Sequence, residues 1–225
     1  MTSAVRQGVP PAHLAGRAAG VALFVLLSLW VFWTAGREWR ADFGSLTQQH
    51  DARQWIEGQG TPADRAIWED TLRGLLDAEA VRSGNPVLQE MLGNLYRVGA
   101  RQPWAGAEEQ LAWRKAARTH YARSLELRPT DGLTWALMAS LRGETAEFGA
   151  EYEQALATAL RWSPHDDHVQ RVVLQTTLEH WERTPQALQN WVVDLYEQGT
   201  ATRRNFINNM AKSYGLAFES TTRPR

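Results

Sequence analysis

Cysteine is missing from all 225 residues, which excludes disulfides, thiolate zinc sites and cysteine nucleophiles together. Lysine is nearly missing too: Lys115 and Lys212 stand alone, and arginine carries the remaining basic charge. Those arginines are scattered among Asp and Glu and the net charge is −1, so no global field favours nucleic acid. No segment keeps a period-2 alternation with β-branched residues, and no sheet is expected. A Gly-rich phosphate loop, a G-x-S-x-G elbow and a kinase signature are all absent. Glu108-Glu109 and the Glu151/Glu153 pair read as solvated helix faces, because paired carboxylates need an enclosing cleft before they can do chemistry. The expectation is a protein without catalytic residues, metal or cofactor.

Charge is also missing from residues 18–35, AAGVALFVLLSLWVFWTA. As a helix this run would be about 27 Å long, close to the ~30 Å of a bilayer core. It has no polar face, which a core helix of a soluble domain would show. Trp30, Trp33 and Trp39 gather at its carboxyl end, where aromatic rings sit at headgroup level. A cleaved signal peptide, cut after Thr34-Ala35-Gly36, is the competing reading, but the apolar run is longer and more aromatic than a signal core requires. A membrane anchor is therefore expected at 18–35, after an amino flank at 1–17 that holds Arg6, Arg17 and a Pro10-Pro11 pair. Arg37 and Arg40 nearly balance the basic residues of the flank, and the terminal amine tips the orientation towards a cytoplasmic amino end and a periplasmic domain.

What remains is helical. Residues 36–60 read as a juxtamembrane segment that ends in Gly58-Gln59-Gly60. Thr61-Pro62 has the chemistry of a helix start, with Thr as N-cap and Pro at the first position. Ile67, Trp68, Leu72, Leu75 and Leu76 then recur at helical spacing, and Ser83-Gly84-Asn85-Pro86 stops that helix. Residues 117–164 hold the clearest periodicity. Two amphipathic helices end in Leu127-Arg128-Pro129 and Trp162-Ser163-Pro164, and the two prolines are about 35 residues apart, near the 34 of a tetratricopeptide repeat. Leu92-Gly93-Asn94-Leu95-Tyr96 resembles the L-G-x-x-Y core of such a repeat, with an insertion over residues 99–109 before its second helix. Trp135, Met138, Ala139 and Arg142 mark the next first helix, Gly143-Glu144 its turn, and Ala155, Leu156, Ala159 and Leu160 the inward face of its partner. Three further helices are expected over 166–181, 185–198 and 202–214. The fold class is all-α: an N-terminal single transmembrane helix followed by a short tetratricopeptide-like helical-repeat domain at 61–216, with a flexible tail at 217–225.

Three groups of side chains invite functional readings. His165-Asp166-Asp167-His168 could suggest a metal, but it opens a helix, where aspartates are stabilised by free N–H groups and the macrodipole, so capping is expected. Trp104, beside Pro103 in the insertion, could stack on a sugar ring or fold back over the repeat edge. Pairs of this kind stack into a curved surface lined by their first helices, which makes Asn94, Arg97, Trp135 and Arg142 the candidate partner surface; inter-repeat packing is the plain alternative for Trp135.

A wider pattern joins Asn85-Pro86, the Leu92–Tyr96 run, Arg101-Gln102-Pro103, Tyr121 through Arg128-Pro129, and Trp135-Ala136-Leu137-Met138-Ala139. It continues through Gly143-Glu144 with Phe148, Pro164, His168-Val169-Gln170-Arg171-Val172 and Trp181. On these residues, from 86 to 181, the chain resembles the VpsP-like proteins of bacterial exopolysaccharide biosynthesis clusters. The resemblance covers about half the chain and departs at Ser163-Pro164-His165, where the relatives have Gly-Pro-Trp, so no surface role is carried over to that turn. The resemblance implies an inner-membrane, single-pass accessory protein, non-enzymatic, acting with other proteins of a polysaccharide biosynthesis or export assembly. Direct glycan binding around Trp104 is the alternative.

Overall fold

The computed structural model describes residues 21, 23–36 and 46–218. The expected amino flank, the first residues of the expected anchor, Trp39 and the chain past residue 218 lie outside the described residues. Those described form helices and turns and no strand. Residues 23–36 are helical, and Leu23, Phe24, Leu26, Leu29 and Phe32 are exposed on this segment. Among the described residues no helix is long and apolar enough to cross a membrane.

From residue 46 the described residues form α1 (Leu46–Ile56), α2 (Arg65–Val81), α3 (Pro86–Gly99), α4 (Ala107–Leu127), α5 (Gly132–Glu144), α6 (Ala150–Trp162), α7 (Asp167–Glu179), α8 (Gln186–Glu197) and α9 (Ala201–Lys212). A 3-10 turn, Trp181–Arg183, joins α7 to α8. The described chain is a repeat-like array in which each step of helices encloses its own apolar group. Ala52, Trp68, Leu75, Leu92 and Leu95 fill the first, between α1, α2 and α3. Ala117, Tyr121, Met138 and Leu141 fill the second, between α4 and α5. Ala139, Tyr152, Leu156, Val169 and Leu188 make the third, and Leu178, Trp181, Val192, Ile207 and Phe218 the fourth. Contacts are thus made mainly between neighbours in the chain, as in a quasi-one-dimensional stack.

The repeat is visible at the level of single hydrogen bonds. Two residues after Pro129 and after Pro164 stands an aspartate, Asp131 or Asp166, that caps the next helix. Asp131 Oδ1 accepts from the amides of Leu133 (3.1 Å) and Thr134 (3.3 Å); Asp166 Oδ1 accepts from His168 (2.8 Å) and Val169 (3.1 Å). Six residues after each proline a side chain returns to the proline carbonyl: Trp135 Nε1–H donates to Pro129 O at 2.9 Å, and Gln170 Nε2–H donates to Pro164 O at 2.6 Å. Asn85 is the equivalent cap of the preceding helix pair, with Pro86 at the first helical position.

Gly93 and Tyr121 show why the α3–α4 pair is tight. A Cβ at Gly93 would lie 2.6 Å from the Tyr121 ring, so the glycine admits the aromatic that fills the gap. Four boundaries differ from the sequence expectation. The helix expected at Thr61-Pro62 starts at Arg65, because Asp64 provides the cap, its carboxylate accepting from the Ile67 amide at 3.0 Å. Helical packing reaches back before residue 61, since Ala52 of α1 is wholly buried in the first apolar group. Gly143 and Glu144 do not make the turn; they end α5, where a Cβ on Gly143 would collide with the His180 ring at 2.5 Å, and residues 145–149 turn instead, with Ala146 at φ 56°. Phe218, expected in a flexible tail, is buried against Trp181 and Tyr196.

Candidate interaction surface

The four residues expected to face a partner are largely spent inside the array. Asn94 is buried and its Oδ1 accepts a 2.7 Å hydrogen bond from the Tyr121 hydroxyl. Burial pushes the Tyr121 phenol up to about 12, keeping it the donor at any ordinary pH. Arg97 reaches from α3 to α5, where its Nε donates to Glu144 Oε1 at 2.8 Å and its Nη2 to the same oxygen at 2.5 Å and to Ser140 Oγ. Arg101 also pairs with Glu144 Oε1. Arg97 and Glu144 are only 11% and 12% exposed, so the contact is an interior tie between repeats. Burial works to raise the Glu144 carboxyl, but Arg97 and then Arg101 outweigh it and hold the group below the usual carboxylate range.

Trp135 is half-buried, packed against the second and third apolar groups while its indole N–H closes the Pro129 turn. The inter-repeat reading is the one the geometry fits. Arg142 pairs with Glu147 at 3.1 Å and with Glu151, bridging the end of α5 to the start of α6. The sequence motif located the right helices, but groove positions in so short an array are occupied by contacts of the array itself.

Trp104 folds back. Its ring is 5.7 Å from both Trp68 and Trp113, and these two are 4.4 Å apart. The Arg65 guanidinium lies 5.9 Å from the Trp104 ring and 5.8 Å from Trp113 while pairing with Glu69 and Glu109. A face that a sugar could stack on is thereby taken by protein groups. Of the expected membrane-interface residues, Trp30 and Trp33 are exposed on the helical segment at 23–36, and Trp39 lies outside the described residues. His165 and His168 are exposed beside the Asp166 cap, and among the described residues no cluster of His, Asp and Glu could hold a metal.

A concavity with an apolar lining lies elsewhere, between α7 and α9, and sequence reading missed it. It encloses about 340 Å³, with Leu174, Leu195 and Ile207 as apolar lining and Arg171, Arg203 and Phe206 around its mouth. Phe206 and Ile207 are consecutive on α9 and cannot both face inward, so one large apolar side chain had to stand near the surface; that adjacency is the signal a closer reading would have used. Family models, characterised proteins and solved structures were all compared with the chain, and none matches.

Proposed function

We propose that this chain is a membrane-anchored helical scaffold, single-pass in a bacterial inner membrane, whose periplasmic array holds other proteins of an exopolysaccharide biosynthesis or export assembly together. The observation that carries the reading is the helical segment at 23–36, where aliphatic and aromatic side chains are exposed all around, directly ahead of a compactly packed array. Exposed apolar surface of that extent is unfavourable in water and belongs in lipid or against a partner. The role in polysaccharide synthesis comes from the family resemblance of residues 86–181. No enzymatic step, metal or cofactor belongs to the reading, nor does nucleic acid: Arg65, Arg97, Arg101, Arg118 and Arg142 each face a carboxylate. Glycan binding through Trp104 is the weaker alternative, because Arg65, Trp68 and Trp113 already occupy the surroundings of the ring.

Site-specific photo-crosslinking of the full chain in cells tests this. Cross-links from the array to proteins of the polysaccharide machine are expected, together with reduced polymer output when residues 18–35 are deleted. Unchanged output and an array that cross-links to none of those proteins would refute it.

A further inference from the structure

The α7–α9 groove has a built chemistry. Its floor is aliphatic: Leu174 and Ile207 are buried, and neither side chain offers a hydrogen bond. Phe206 stands at the mouth with 43% of its surface exposed, on the last helix among the described residues. The volume of about 340 Å³ is at the low end of the ~300–1,000 Å³ typical of ligand pockets, room for one large side chain rather than an extended molecule. The lining also carries the polar side chains of Gln170, Thr200 and Thr202, and Phe206 is its one aromatic, at the mouth and not on the floor.

Charge decides what surrounds that side chain. Arg171 and Arg203 rim the groove, and Arg204 follows on α9, whose sequence ATRRNFINNMAK contains no acidic residue. Asp167 is the acidic residue of the lining; it comes no closer than 3.6 Å to Arg203 and is largely exposed. Arg203 makes its better contact with a neutral group, Gln170 Oε1, at 3.0 Å. The rim therefore keeps a positive balance over an apolar floor, the complement of an acidic segment carrying one apolar anchor.

We infer that this groove docks a short acidic segment of a partner protein, which inserts one large aliphatic or aromatic side chain over Leu174 and Ile207 beside Phe206. The inference rests on the scaffold reading and gives it a contact surface. Arg171 and Arg203 pair with the flanking carboxylates of the segment, and Phe206 covers the inserted side chain.

Fluorescence anisotropy of the purified full chain in detergent tests it, using a short labelled peptide of Glu and Ser with a single central Leu. This peptide should bind about tenfold more tightly than the same peptide with central Ala, the effect of one partly buried large side chain. Replacing Glu by Lys in the peptide should abolish binding. Phe206→Asp and Arg203→Glu, both at the surface, should each weaken binding about tenfold with the circular dichroism spectrum unchanged. Equal binding of the Leu and Ala peptides, or binding that survives Phe206→Asp, would overturn the inference. So would displacement of the Leu peptide by an anionic polysaccharide as effective as the unlabelled peptide, which would make the rim a charged polymer surface. Cross-links in cells that persist in Phe206→Asp would leave the scaffold standing and remove the groove from it; peptide binding without any such cross-link would do the reverse.

Discussion

Glu144 receives two guanidinium groups on one oxygen, and what happens when it is removed is the sharpest statement available at the level of single residues. Arg97 is as buried as its partner, so Glu144→Ala leaves an interior cation without compensation. Deleting one member of a buried pair costs about 3–5 kcal/mol. Glu147→Ala serves as the control: its partner Arg118 is on the surface, Arg142 keeps Glu151, and the loss should stay below ~1 kcal/mol. Urea unfolding of the two variants measures the contrast directly. A second residue gives a pH signature. His120 donates from Nδ1 to Gln89 Oε1 at 2.8 Å, while the Gln89 amide donates to Glu79 at 2.9 Å and Tyr96 stacks on the imidazole. Burial lowers the His120 pKa below its ordinary value, with Glu79 opposing. The unfolded chain then binds the proton more readily, so stability is complete above the unfolded value near ~6.5 and is lost as pH falls through the folded one. Thermal melts from neutral pH down to about 5 should show this decline, and His120→Gln should flatten it.

The same residues explain how far the sequence could be read at the level of elements. Helix identity was legible because the 3.6-residue period is strong, and the carboxyl ends near Pro129 and Pro164 were legible because proline cannot continue a helix. Helix starts were read less well. Thr61-Pro62 has the right chemistry for a start, yet Asp64 supplies the cap, and local propensity does not distinguish two good caps three residues apart. The internal contacts of the candidate surface were hidden for another reason. Arg97 and Arg142 occupy groove positions by periodicity, but periodicity does not reveal that Glu144, Glu147 and Glu151 meet them across a turn or a repeat. Gly93 was legible because close packing leaves a compositional trace: a small residue facing a large aromatic on the partner helix. Gly93→Ala would set a methyl 2.6 Å from the Tyr121 ring and should destabilise the array by about 1–3 kcal/mol, the range for overpacking; Gly93→Ala combined with Tyr121→Leu should recover some of it. Thermal denaturation of the single and double variants checks both outcomes.

For the whole molecule, a stack of helix pairs distributes its stability among neighbouring steps, each with its own apolar group, instead of one central core. Such an array presents surface in proportion to its length, and here its first turns follow an exposed apolar helical segment at one end while the last of the described helices carries an apolar groove with a basic rim at the other. Attachment at one end and recognition at the other is the arrangement expected of a tethered scaffold. Membrane attachment and export are the parts of the proposed scaffold on which all the rest depends. They are measured together by fusing after Arg225 a reporter enzyme that is active only in the periplasm, and then washing the membranes at alkaline pH. Reporter activity that stays in the washed membrane pellet, and moves to the supernatant when residues 18–35 are deleted, is the predicted result. A silent reporter, or activity released by the wash from the intact chain, would contradict the anchored periplasmic scaffold.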